Sequence, residues 1–396
     1  MFGGLLAVLA GIAYLPLTLF APVSETAPVL EVPSVATPAA AETSLPAYGA
    51  SGIAAIGYDG LLAQAGTTDA VPMASITKVV TALTVLDAHP ISADDPGPAV
   101  TMSWADVASY RDYIARNGSV APVSAGWTFT ERELLEIMLI DSANNYAATL
   151  ATWAFGSTDA YLAAAQAWLA KNDLTTITVV DTSGLDPRST GTVADIVRLG
   201  ELALAHPVVA QIVGTARIDI HDIGTVKNTN ALIGQAGIDG IKTGTLDTFG
   251  ANLLFSSSIE VGAETIELVG VVLGGPDHPT INAAIVDLVA QAQAGFREVQ
   301  LVEAGDTYAS YTTPWDAVVR AVAAESASVV VWGDTPIEVS ATANDIRLAE
   351  DGETVGQAVF TAGQRTLTVP LVLSGDVDDP GPWWRLGHPE IIFGMR

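Results

Sequence analysis

At 396 residues and a formal net charge of −28 at pH 7, the chain is long enough for two domains. It is too acidic for a basic nucleic-acid surface or for attraction to anionic lipid headgroups. It has no cysteine, and its five histidines (His89, His206, His221, His278, His388) show no HxxxH or HxH spacing, so a disulfide framework is excluded and neither a metal nor another cofactor is expected.

Residues 1–22 open the chain with an apolar, uncharged stretch of the length that crosses a bilayer, and they are read as a retained transmembrane anchor. Residues 23–48, rich in Pro and Ala and without amphipathic period, read as an extended spacer. A globular pattern begins at 49. The run 51–66 predicts two short strands around a Tyr-Asp-Gly turn, and apolar residues Ile76, Val79, Val80, Leu83 and Leu86 predict a helix over 75–88. Helices are expected over 103–118, over 130–140 behind a Thr130/Glu133 capping box, from about Asn145, over 158–172 and over 192–207. The segment 249–275 predicts a hairpin, followed by a helix at 280–295. From about residue 300 apolar and polar residues alternate between closely spaced turns, which predicts a small β-sandwich or barrel over 301–396.

The chain holds only four lysines: Lys78, Lys171, Lys227 and Lys242. Lys78 stands three residues after Ser75, hence on one helix face one turn away. A serine at a helix start also presents its own N–H outward, where it can serve an oxyanion. Ser142-Ala143-Asn144 follows 67 residues after Ser75, in a tight loop between helices, and Lys242-Thr243-Gly244 comes 100 residues after Ser142. This ordered triple is the motif set of penicillin-binding proteins and serine β-lactamases.

Over residues 50–300 the sequence resembles the D-alanyl-D-alanine carboxypeptidases of the S11 type, the low-molecular-mass penicillin-binding proteins. The resemblance extends to "PMASITKVVTALTVLD", "TERELLEIMLIDSANNYAATLA", "DTSGLDPRSTGTVADI", "KNTNALIG" and "GIDGIKTGTLDTFGANLLFS". It implies an α/β (α+β) catalytic domain over 49–300, with an antiparallel sheet and a helical subdomain of the β-lactamase/transpeptidase type, ahead of the small all-β domain. It further implies a membrane-held, extracytoplasmic enzyme that trims the terminal D-alanine from peptidoglycan stem peptides and is acylated by β-lactams. Ser75 is then the nucleophile, Lys78 its neutral base and Ser142 the proton relay. Asn144 would orient the substrate amide, Lys242 and Thr243 would meet the terminal carboxylate, and Gly244 would admit the substrate. The N–H of Thr245 would join that of Ser75 in the oxyanion hole.

Two departures from the family pattern stand out: Asn145, where Asp is frequent, and Asp186-Pro187-Arg188, in a loop expected to affect substrate choice. A β-lactamase would need a deacylating glutamate between the second and third motifs, and only Glu201, inside a predicted helix, lies there. A non-catalytic wall-binding sensor is the remaining alternative. Lys227 is read as a structural residue behind the site, His221 and His278 as ordinary loop residues, and Trp383-Trp384 as closing the β-domain core, with a glycan-stacking surface as the alternative.

Overall fold

The computed structural model describes residues 12–46 and 48–395. They form two compact units: one spans Ala41–Phe296, and the other joins Arg297 onward to the residues up to Ala40.

The first unit is built on five antiparallel strands: β1 (Ala50–Ala55), β2 (Ala63–Gly66), β3 (Ile238–Leu246), β4 (Gly250–Val261) and β5 (Glu264–Gly275), in the order β3-β4-β5-β1-β2. The predicted hairpin over 249–275 is β4 and β5, in register Leu254 with Val271 and Phe255 with Gly270. Because successive side chains alternate faces, Leu254, Val269, Val271 and Leu273 join the large helical core, while Leu253, Phe255, Leu268 and Val272 are equally buried. A strand apolar on both faces needs cover on both. Helix α6 (Val193–Ala205) packs on β1, β4 and β5, and α8 (His278–Gly295) packs on β4 and β5.

The helical part holds α1 (Thr77–Ala88), α2 (Trp104–Ala115), α3 (Glu131–Ile140), α4 (Asn144–Phe155), α5 (Thr158–Lys171) and the short α7 (Pro207–Val213). Caps fix several starts. Thr130 and Glu133 form the expected reciprocal box at α3, and Ser103 with Asp106 does the same at α2. Helix α1 is buried along nearly its whole length, because α4, α5, α6 and α3 all pack on it. That burial fixes its first turn, which carries Lys78.

The second unit is all-β around Tyr308, Tyr311, Phe360 and Leu371, with short helices at Pro382–Gly387 and Pro389–Ile392. Its main sheet has six strands, and one of them corrects the expected spacer. Val29–Leu30 pairs antiparallel with Thr307–Thr312, Val29 opposite Ser310, and Thr26 bridges Ile346. The open edge of Thr307–Thr312 offers unpaired N–H and C=O groups, and a proline-rich segment that is already extended satisfies them at little entropic cost. Trp383-Trp384 also departs from expectation. Trp383 is 86% exposed, and Trp384 lies outside the core, edge-on to Trp315 and stacked on His388. Of the expected anchor, 1–11 lies outside the described residues, and 12–20 is helical. Among the described residues no single helix is long and apolar enough to cross a membrane.

Candidate active site

Ser75 lies in a single 3₁₀ turn, Ala74–Ile76, immediately before α1, and Lys78 is the second residue of α1. The turn is held tightly. Ala74 has φ +51°, and the carbonyl of Ala74 presses against Gly184, where a Cβ would lie 1.8 Å from that oxygen, so only glycine fits at 184. Lys78 is fully buried, and its Nζ lies 2.8 Å from Ser75 Oγ and 3.1 Å from the Ser183 carbonyl oxygen.

That carbonyl has its own support. The Asp181 carboxylate accepts the backbone N–H groups of Ser183, Gly184 and Asp186, which curls the 181–186 loop and turns Ser183 toward the lysine. The Thr81 hydroxyl, one turn along α1, ties the same loop through the Thr182 carbonyl. Neither Asp181 nor Ser183 was singled out by sequence reasoning. Ser183 acts through a backbone oxygen, for which a side-chain motif carries no signal.

Ser142 sits between α3 and α4 with φ +62°, an uncommon conformation for serine that the two flanking helices impose. Asn144 opens α4, with its N–H on the Ser119 carbonyl and its side-chain amide against Gly118. Asn145 clamps the covering segment, accepting from the Ala121 N–H and donating to the Ala121 carbonyl. An aspartate could accept but not donate there, so this departure fixes the 118–122 segment over Asn144.

Strand β3 brings the third motif against the first. A Cβ on Gly244 would stand 2.9 Å from Ala74 Cβ and 3.1 Å from the Ser75 nitrogen, so a side chain at 244 would wedge the strand off the Ser75 N–H. Lys242 is buried beside Asp141 and the Thr243 carbonyl. Thr243 turns its hydroxyl to Thr229 Oγ1 at 2.6 Å, and the Thr229 N–H bonds the last carbonyl of α3, so the Lys-Asn-Thr-Asn segment braces β3 against the Ser142 loop. Lys227 itself is exposed on a two-stranded ribbon opposite Arg217. Thr245 is exposed, and its Oγ1 lies 2.8 Å from Nε2 of His278, which begins α8 rather than sitting in an ordinary loop.

Two amines buried side by side cannot both keep a proton cheaply. Burial, then the Lys242 ammonium, hold Lys78 well below the ordinary lysine range, with Asp181 opposing. Burial brings Lys242 down to about 7, against the pull of Asp141. The site thus holds a neutral amine in reach of a serine hydroxyl, with a second, more easily charged amine beside it. Glu201 is engaged elsewhere, paired with Arg198 at 2.7 Å on α6. Asp186 and Arg188 close on each other at 2.6 Å, with Arg188 exposed.

A family model described as D-alanyl-D-alanine carboxypeptidase (peptidase S11) matches residues 57–277. Among solved structures, penicillin binding protein 6B of Escherichia coli shares 20% identity at TM-score 0.61, over 84% of this chain and 96% of that one. Penicillin binding protein 5 of Haemophilus influenzae shares 18% at TM-score 0.58, over 83% and 97%. The Streptomyces K15 DD-transpeptidase shares 21% at TM-score 0.55, over 63% of this chain and 97% of its own. These structures establish likeness of fold. No curated protein matches the chain.

Proposed function

Because the chain belongs to the D-alanyl-D-alanine carboxypeptidase family of S11 serine peptidases, we propose that its reaction runs through an acyl-enzyme on Ser75. The enzyme is a serine-type D-Ala-D-Ala carboxypeptidase, and the observation that carries the assignment of its base is the 2.8 Å approach of a fully buried Lys78 to the Ser75 hydroxyl.

As Ser75 Oγ attacks the carbonyl carbon of the penultimate D-alanine, its proton passes to the neutral Lys78 Nζ, whose other contact is the Ser183 carbonyl. The N–H groups of Ser75 and Thr245 receive the oxyanion, a donor pair in which each member is worth ~3 kcal/mol of barrier. The C–N bond then breaks, and the proton on Lys78 travels through the Ser142 hydroxyl to the departing amine of D-alanine. Water attacks the resulting ester with Lys78 again taking a proton, which returns to Ser75 Oγ as the shortened peptide leaves. Lys242 holds the terminal carboxylate, a charge that the chain's net −28 would otherwise repel, and Asn144 aligns the peptide amide.

A β-lactam enters by the same attack. With Glu201 bound to Arg198, no glutamate from the segment between the second and third motifs is placed to activate a deacylating water, so the adduct persists. We place the enzyme at the cell membrane, single-pass through residues 1–22, with 49–300 facing the extracytoplasmic stem peptides. The uncharged apolar run supports this, and proteolysis of intact cells tests it.

The test of mechanism is fluorescent-penicillin labelling of the wild type beside Ser75→Ala, together with D-alanine release from a peptide ending in D-Ala-D-Ala. Loss of both in the variant is expected. Label retained by Ser75→Ala rejects the nucleophile, and wild-type labelling without D-alanine release favours a sensor.

A further inference from the structure

We propose that His278 is a positioning residue for the substrate's terminal carboxylate, acting by orienting the hydroxyl of Thr245. The inference rests on the carboxypeptidase reading of the same site.

Thr245 directly follows the Lys-Thr-Gly run on β3, so its side chain stands at the exposed end of the strand that carries Lys242. An exposed threonine hydroxyl rotates freely unless a partner fixes it. Here the partner is specific: His278 Nε2 at 2.8 Å from Thr245 Oγ1. The backbone that carries the ring is fixed in turn. His278 is the first residue of α8, and the Asp277 carboxylate caps that helix by accepting the Thr280 N–H at 2.8 Å. The charged and titratable groups facing the ring are Lys242 from β3 and Asp277 from its own turn, with Tyr48 next to Asp277.

Burial and the Lys242 ammonium lower the imidazole from its ordinary value, while Asp277 opposes them, so the ring is neutral and carries a single N–H. With that proton on Nε2, the ring donates to Thr245 Oγ1, and the threonine's own O–H is directed away from His278, free to donate to an oxygen held by Lys242. With the proton on Nδ1, Thr245 would spend its O–H on the ring and have none for substrate. A carboxylate seated against Lys242 cancels the positive field at the ring and favours the Nε2–H arrangement. His278 therefore couples the arrival of a C-terminal carboxylate to a properly aimed hydroxyl, which selects free-acid peptide ends over amidated ones.

The experiment measures D-alanine release from a peptide ending in D-Ala-D-Ala, and cleavage of the same peptide carrying a C-terminal amide, by the wild-type chain, His278→Ala, His278→Gln, Thr245→Ala and the double alanine variant. His278→Ala is expected to raise KM for the free acid about tenfold with kcat within twofold. His278→Gln, which keeps an N–H donor, recovers most of that loss. Thr245→Ala should match the loss, and the double variant should add less than twofold to it. With the amidated peptide the two single His278 variants should sit within twofold of wild type.

Equal losses on acid and amide, additive losses in the double variant, or a fall in kcat at constant KM would each overturn the proposal. A thermal midpoint recorded for each variant separates misfolding, in which case the glutamine variant alone decides by its acid-to-amide ratio. If Ser75→Ala abolishes labelling while the His278 variants behave as wild type, only the His278 proposal fails. If Ser75→Ala still labels, the underlying reading fails with it.

Discussion

Helix α3 joins two regions in which burial has acted on opposite charges. Its C-terminal end leads to Asp141, Ser142 and the two buried lysines, and its N-terminal end carries Glu131, completely buried at the first helical position, with Glu136 one turn on. Burial drives all four groups toward their neutral forms: Lys78 and Lys242 downward, Glu131 and Glu136 each up to about 7. The difference is in the partners. Each lysine nitrogen meets acceptors, Ser75 Oγ and the Ser183 carbonyl for one and the Thr243 carbonyl for the other. Neither oxygen of Glu131 has a hydrogen-bond partner among the described residues, and Asp95 adds like-charge repulsion. A neutralised group with satisfied contacts is poised for chemistry, and one without them is only a cost.

The sharpest way to break this contrast is Lys78→Arg. Guanidinium stays protonated at any working pH, so a permanent charge replaces the neutral amine and the base is lost. Acylation by penicillin should fall on the order of 10³-fold or more, the upper range for general-base removal. Stopped-flow acylation rates check it, and a fall under tenfold would mean another group takes the Ser75 proton.

Much of this candidate site is legible in the sequence because the proposed chemistry is written in side-chain identity: the roles proposed for Ser75, Lys78, Ser142, Asn144 and Lys242 call for those atoms. What escaped the sequence acts through backbone or through tertiary placement. Ser183 contributes a carbonyl, Asp181 shapes the loop behind it, and His278 reaches Thr245 only because β3 and α8 lie side by side. The hairpin β4–β5 announced itself by apolar runs bounded by turns. Val29–Leu30 did not, because an added edge strand is selected by the open backbone of Thr307–Thr312 rather than by its own side chains. Trp383 shows the converse error: a large apolar residue suggests burial, yet the short terminal helix leaves it outside.

The next effect concerns stability. Glu131 has a folded pKa of about 7 against an ordinary 4.5, so the native state holds the extra proton. Its contribution is fully present below about pH 4.5 and is lost as pH climbs through 7. Glu131→Gln, which mimics the protonated acid, should leave stability near wild type at pH 4.5. At pH 8 it should raise stability by about 3 kcal/mol. Urea unfolding at the two pH values checks this, and a difference that does not change with pH would show that the carboxyl group finds partners in solution.

The smallest effect comes from a lysine that burial never reached. Lys171 lies at the end of α5 with its Nζ 2.8 Å from Asp87, as close as Lys78 to Ser75, yet the two side chains are 65% and 48% exposed. Water and salt screen such a pair, and holding two long side chains together costs rotamer entropy, so it contributes less than about 1 kcal/mol. Lys171→Ala should therefore shift the urea midpoint only slightly, less still in 0.5 M salt, and leave acylation untouched. A salt-insensitive loss above 2 kcal/mol would mean that distance, rather than burial and partnering, governs what a lysine does in this chain. The contrast between the two ends of α3 would then lose its physical basis.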